Sequence, residues 1–265
     1  MPTLPLYQID AFADRPFAGN PAAVCPLQAP IPEALMQDIA AENNLSETAF
    51  FHPQGDVFSL RWFTPTTEVE LCGHATLASG FLLMTELEPA RREVTFRTRS
   101  GLMPVFRRDD EFVLDFPAYP AAPVDAGTAA RVAAALGAQP REVVLGRALF
   151  AVFDDAATVR GLAPDMRALA ALGNGVGVTG PGSDEARPVD FVSRYFAPGY
   201  GIDEDPVTGS AHCTLAPYWA ARLGKTALRA RQVSRRGGEI SCALAGDRVH
   251  IGGKARLVIT GTLTY

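Results

Sequence analysis

The chain has 265 residues, 48% apolar and 20% charged, a globular composition that excludes disordered, collagenous and disulfide-scaffold classes. That length is long for one compact domain and suits two small ones. With 24 basic and 29 acidic residues the net charge is −5 and unclustered, so no nucleic-acid or anionic-membrane partner is expected, since either would want a basic face.

The opening Met1–Asp10 lacks the basic start and apolar core of a signal peptide, and no apolar run reaches the roughly 18 residues of a membrane span. A cytoplasmic location is the expectation. The four cysteines, Cys25, Cys72, Cys213 and Cys242, form no C-x-x-C pair and read as reduced thiols.

Leu4–Asp10 alternates and predicts a strand. The loop Phe17-Ala18-Gly19-Asn20-Pro21 and a short apolar stretch, Ala22–Pro26, follow. Ile31, Leu35, Met36, Ile39 and Ala40 recur at helical spacing, predicting a helix over Pro32–Asn43 with Pro32 in its first turn. Short strands are predicted at Thr48–Phe51 and Ser59–Phe63. Gly73–Met84 carries almost no charge on any face, the pattern of a buried helix. Strands return at Glu93–Thr98, Met103–Arg107 and Glu111–Phe116. Pro120–Thr128 reads as a linker. Beyond it come a helix at Ala129–Gly137, a strand-like Val143–Phe153, a helix at Asp165–Leu172 and a Gly-rich turn–strand–turn at Gly173–Gly182. A strand at Val189–Phe196, an apolar helix at Ala211–Leu223 and a β-like end from Arg231 complete the chain.

The second half repeats the first. Arg61-Trp62-Phe63-Thr64-Pro65 matches Arg194-Tyr195-Phe196-Ala197-Pro198, 133 residues on. Gly73-His74-Ala75 matches Gly209-Ser210-Ala211 at 136, and Ala29-Pro30 matches Ala163-Pro164 at 134. Three matches in one order at nearly one offset suggest a duplication. The boundaries drawn are 1–120 and 121–265, with the chain end free to cross back. Each half would wrap strands around one apolar helix. If the amino ends of the two helices met across a cleft, their unpaired N–H groups and dipoles would hold a carboxylate. Gly73 and Gly209 would let backbone approach it closely. Moving a proton beside that carboxylate needs a base whose pKa burial lifts, and a donor nearby.

Four motifs stand in order: Phe17-Ala18-Gly19-Asn20-Pro21, Asn44-Leu45-Ser46-Glu47-Thr48, Cys72-Gly73-His74-Ala75-Thr76 and Asp203-Glu204-Asp205-Pro206-Val207-Thr208-Gly209-Ser210-Ala211-His212. With them the chain resembles the phenazine-biosynthesis PhzF-like family, nearly end to end. The resemblance implies a diaminopimelate-epimerase-like α+β fold: two pseudo-symmetric half-domains, each a barrel-like, mostly antiparallel sheet around a central apolar helix. It implies an isomerase that transfers protons without cofactor or metal, as the characterised member does on a dihydro-hydroxyanthranilate. It makes Glu47 the acid/base carboxylate, with His74, Asp205 and Ser210 assisting. Gly73, Gly209 and Asn20 become substrate-side contacts, and a homodimer is implied.

Related epimerases use two cysteines at the heads of the central helices. Cys72 holds the first place; Thr208 or Val207 holds the second, with Cys213 about a turn and a half further in. A two-thiol racemase is therefore disfavoured, and Cys72 is more often a buried small side chain than a base. Asp205-Pro206 also reads as a helix cap, and a capping carboxylate can still be functional. Cys72, His74, His212 and Cys213 suggest a zinc tetrad by composition. Adjacent His212 and Cys213 on a helix diverge by about 100°, which argues against it. Gly173–Val178 lacks the dinucleotide-loop frame. Arg61 and Arg194 are either structural ion-pair partners or cleft residues.

The leading expectation is an isomerase acting through Glu47 on a small carboxylate-bearing substrate. The alternatives are an amino-acid epimerase or racemase using Cys72, and a non-catalytic small-acid-binding protein. Pocket selectivity has no readable code, so the substrate stays unnamed.

Overall fold

The computed structural model of the chain describes residues 1–173, 175–183 and 187–265. The first elements are β1 (Thr3–Ala11), β2 (Asn20–Pro26), α1 (Glu33–Asn43), β3 (Glu47–Gln54), β4 (Val57–Phe63), β5 (Glu68–Val69) and α2 (Gly73–Leu82). Then come β6 (Glu93–Thr98), β7 (Gly101–Arg108), β8 (Glu111–Pro117), β9 (Ala122–Pro123), α3 (Ala126–Leu136), β10 (Glu142–Leu145) and β11 (Leu149–Val152). The remainder is α4 (Ala156–Gly161), α5 (Met166–Ala170), β12 (Val176–Pro181), β13 (Phe191–Ala197), β14 (Ile202–Glu204), α6 (His212–Leu223), β15 (Ala227–Gln232), β16 (Gly238–Ala245), β17 (Arg248–Gly253) and β18 (Ala255–Thr264). Two compact α+β units result: Met1–Asp115 with Gly252–Tyr265, and Phe116–Ile251. Among the described residues no helix is long and apolar enough to cross a membrane.

In the first unit β18 runs antiparallel along β1, β1 along β2, and β3 along β4, while β2–β3 and β4–β6 are parallel; β6, β7 and β8 continue antiparallel. Helix α2 packs against β1, β2, β3, β6, β7 and β18. That enclosure is why its sequence carries no charge: every face meets strand side chains. Gly80 marks the closest approach, because a Cβ there would lie 2.8 Å from Val105 of β7. Helix α1 covers a separate cluster formed by Leu4, Cys25, Leu27, Met36, Ile39, Phe50 and Phe63.

In the second unit β10–β11, β12–β13 and β15–β16 are antiparallel, while β11–β12 and β13–β15 are parallel. The two-residue strand period sorts the faces. Val176, Val178, Val192 and Phe196 face a core shared with α3, α4 and α5. Phe191 faces α6, where Trp219 stacks on it with centroids 5.7 Å apart. Pro217 lies inside α6 and cannot donate to the carbonyl four residues back. That carbonyl, of Cys213, accepts from the Tyr119 N–H at 2.9 Å.

Several predicted elements differ from the structure. Pro32 sits at the N-cap of α1, outside its first turn. The predicted linker 120–128 is mostly structured: it contains β9, and α3 starts inside it because Asp125 caps the Thr128 N–H. Val143–Phe153 is a hairpin of two strands, β10 and β11. Helix α4 has no counterpart among the predicted elements, although Asp155 caps the Thr158 N–H as Asp125 caps Thr128. Of the Gly-rich run, Asn174 lies outside the described residues, and Val176–Pro181 forms β12.

Candidate active site

Three sequence motifs of the first unit converge on His74. Asn20 opens β2 directly after Gly19, whose φ is +68°. A Cβ on Gly19 would fall 2.1 Å from the Ala11 carbonyl oxygen, so only glycine lets Asn20 take its place. Glu47 opens β3 after α1 ends in a left-handed Asn44, and Asn43 Nδ2 donates to Thr48 Oγ1 at 3.1 Å across that turn. Cys72 is the N-cap of α2, and His74 is the second residue of the helix.

His74 Nε2 stands 3.2 Å from Glu47 Oε2, with side-chain exposures of 7% and 19%. The approach is off-line. Neither atom has a hydrogen-bond partner among the described residues, and both are shut off from solvent. At the other ring nitrogen, Nδ1, Asn20 Nδ2 lies 3.2 Å and Cys72 Sγ 3.5 Å away. With Asn20 donating to Nδ1, the neutral ring carries its hydrogen on Nε2, towards Glu47.

Burial works against a charged His74, but Cys72 and Glu47 outweigh it and raise the imidazole well above its ordinary value. The Cys72 contribution needs a thiolate, and burial, with the Glu47 charge, pushes that thiol up to about 11. At neutral pH the thiol keeps its proton, and Glu47 is left as the charge favouring an imidazolium. In either protonation state Nε2 presents a hydrogen to the Glu47 side. The donor atoms of Glu47, Cys72 and His74 all lie within 4.8 Å of one another.

The fourth motif lies in the second unit. Asp205 is no helix cap, contrary to the capping alternative: the 3₁₀ turn Gly209–Ala211 and then α6 begin only after Thr208. The Thr208 hydroxyl donates to Asp205 Oδ2 at 2.5 Å. Its backbone N–H goes instead to Gln232 Oε1 at 2.9 Å, and Gln232 Nε2 donates to the Asp205 carbonyl at 2.7 Å. Ser234 Oγ donates to the Pro206 carbonyl at 2.7 Å. Gly209 is buried, and Ser210 is half-buried with no side-chain hydrogen bond among the described residues. His212 Nδ1 donates to the Thr208 carbonyl at 2.9 Å, and burial lowers its pKa to about 4. Gln232 and Ser234 escaped the sequence reading because their partners lie 24 to 28 residues away.

Arg61 and Arg194 are structural. Arg61 forks onto Glu68 at 2.7 and 2.6 Å, and Arg194 onto Glu204 at 2.7 and 3.0 Å. Arg194 Nη1 also donates to the carbonyls of Val159, Arg160 and Leu162. Cys213 is buried in the first turn of α6, and burial pushes its thiol up to about 12.

The family model for phenazine biosynthesis-like protein, PhzC-PhzF, matches residues 9–261. A Pseudomonas aeruginosa protein named as an uncharacterized isomerase is 49% identical over 261 residues, covering 98% of each chain. The crystal structure of a PhzF-family phenazine biosynthesis protein from Enterococcus faecalis matches with a TM-score of 0.93 at 47% identity, covering 100% of both chains. A hydroxyproline epimerase from Agrobacterium vitis, 13% identical, shares the fold at a TM-score of 0.60 over 98% of this chain and 92% of its own. The chain belongs to the phenazine biosynthesis-like PhzC/PhzF family.

Proposed function

We propose that the chain is an isomerase that moves a proton between two carbons of a small carboxylate-bearing substrate, with Glu47 as the acid/base. The observation that carries this reading is the buried pair of Glu47 Oε2 and His74 Nε2, 3.2 Å apart and each lacking a hydrogen-bond partner. Buried polar atoms without partners are costly, and here two of them are aimed at the same space. The isomerase named among the relatives supports the reaction class.

In the proposed step the Glu47 carboxylate takes a proton from a substrate carbon. The C–H electron pair moves into the adjacent unsaturated system, and the His74 Nε2–H donates to the oxygen or carboxylate where charge collects. Glu47 then returns the proton at the second carbon, and the electron pair forms the new C–H bond. Asn20 holds the imidazole from its far side. The N–H groups opening α2 at Gly73 supply donors for the substrate carboxylate. Asp205, Gly209 and Ser210 belong to the proposal as further polarising and binding groups, tested by substituting Asp205 and Ser210 in parallel with Glu47.

The proposal includes an ancestral duplication, supported by matching local geometry. Arg61 lies over Phe63 and forks onto Glu68, while Arg194 lies over Phe196 and forks onto Glu204. It also includes a cytoplasmic location and a homodimer, the latter tested by sedimentation.

The experiment is a screen of small carboxylic acids in D₂O, read by mass spectrometry. An acid that gains deuterium with the wild-type chain and not with Glu47→Gln supports the assignment. Equal uptake with both proteins refutes it.

A further inference from the structure

We infer that Glu47, Cys72 and His74 form a site for a borderline-to-soft divalent cation, of which Zn²⁺ is the best match, and that the bound ion silences the proton-transfer chemistry. The second half rests on the proposed function; the first does not.

The three donor atoms lie within 4.8 Å of one another. A tetrahedral zinc with bonds of about 2.0–2.3 Å keeps its donors roughly 3.5 Å apart. One edge at the ligating nitrogen already fits, His74 Nε2 to Glu47 Oε2 at 3.2 Å, while Cys72 Sγ lies 3.5 Å from the ring's other nitrogen, Nδ1. Binding turns the Cys72 sulfur towards Nε2, the nitrogen that faces Glu47. The site is also short of partners. The His74 side chain is more than nine-tenths buried, and its Nε2 and the facing Glu47 oxygen have no hydrogen bond. A cation between them would satisfy both atoms.

The donor set selects the ion. One sulfur, one nitrogen and one carboxylate oxygen favour Zn²⁺ or Co²⁺ over Mg²⁺ or Ca²⁺, which want oxygen alone. A thiolate and a carboxylate together balance the charge of a divalent cation. Coordination breaks the Cys72 S–H bond and, from the imidazolium, the His74 Nε2–H bond, releases both protons to solvent and forms the metal–sulfur and metal–nitrogen bonds, with no change of oxidation state. Asn20 stands at His74 Nδ1, where a metal-bound imidazole needs an acceptor for its second N–H; turning the carboxamide over supplies its oxygen. With the ion in place, the Glu47 lone pair that would take the substrate proton is engaged.

Co²⁺ titration of the chelator-treated full chain, in a thiol-free reducing buffer, tests the site without any substrate. The expected result is a sulfur-to-cobalt charge-transfer band with the visible bands of a four-coordinate ion, erased by Zn²⁺ and indifferent to Mg²⁺. Cys72→Ser removes the charge-transfer band, Cys242→Ser keeps it, and Asn20→Ala weakens binding by about tenfold or more. Circular dichroism confirms that each variant is folded. No band in the wild type, or a band that survives in folded Cys72→Ser, overturns the site. Zn²⁺ should then abolish deuterium exchange on an acid found by the screen, and a chelator should restore it; exchange that continues with the site loaded overturns the silencing. A cobalt spectrum without any exchanging acid leaves the site standing and removes only the isomerase reading.

Discussion

Gln232 grips Thr208 at two atoms: its Oε1 accepts the Thr208 backbone N–H at 2.9 Å, and its Nε2 lies 3.3 Å from the Thr208 hydroxyl oxygen. Asp125 and Asp155 each accept both the N–H and the hydroxyl of the threonine three residues on. At Asp205 the same spacing recurs, but Gln232 takes the N–H while the carboxylate accepts the hydroxyl. Gln232 is fully buried. Gln232→Leu leaves the Thr208 N–H and the Asp205 carbonyl without these partners, and destabilisation of about 2–4 kcal/mol is expected. Urea denaturation checks this, and a loss under half a kcal/mol would refute the staple.

The two forked arginines should differ in weight. Arg194 is almost buried and satisfies three carbonyls besides Glu204, so Arg194→Met should cost about 3–5 kcal/mol. Arg61 is more exposed, and Glu68 keeps Arg99 as a partner at 2.5 Å. Arg61→Met should cost about 1 kcal/mol. Thermal melts of the two variants test the ranking, and a reversed order would refute it.

These pairs also mark what a sequence exposes. The spacing of Arg61-Trp62-Phe63 and Arg194-Tyr195-Phe196 was visible, but the acids that hold the arginines were not, since sheet register and loop path decide which carboxylate arrives. The chargeless stretch at the start of α2 announced a buried helix because burial on all faces leaves no position for charge. Val143–Phe153 looked continuous because apolar residues flank its turn, which closes where a Cβ on Gly146 would strike Thr214. The Asp155–Thr158 spacing that caps α4 is legible in the sequence. Cys72 reads as a packing residue, and nothing local to it shows that His74 Nδ1 lies 3.5 Å away.

His212 predicts a pH dependence. Its folded value, about 4, lies below the ordinary 6.5 because burial disfavours the charged ring. Between those values the unfolded chain binds a proton that the folded one does not. Stability is therefore full above pH 6.5 and falls as pH drops towards 4, by up to about 3 kcal/mol. Denaturation midpoints followed from pH 7.5 to 4.5 should fall less steeply for His212→Gln. Parallel slopes would show that His212 takes no part.

Cys72→Ala separates the proposed reaction from a thiol-based epimerase. Under the Glu47 assignment this variant keeps deuterium exchange within about threefold of wild type, whereas Glu47→Gln loses about a hundredfold or more. Initial rates by mass spectrometry decide. Loss of exchange in folded Cys72→Ala would move the chemistry to the sulfur.

Strand β18 pairs along the whole length of β1, from Thr3 opposite Thr264 to Ala11 opposite Ala255. The segment from Phe116 to Ile251 is continuous, so its contacts close within one stretch of chain. The first unit is discontinuous, and one edge of β1 stays unsheltered and open to foreign strands until β18 docks. A chain cut before β18 would therefore be prone to aggregate through the bare edge of β1.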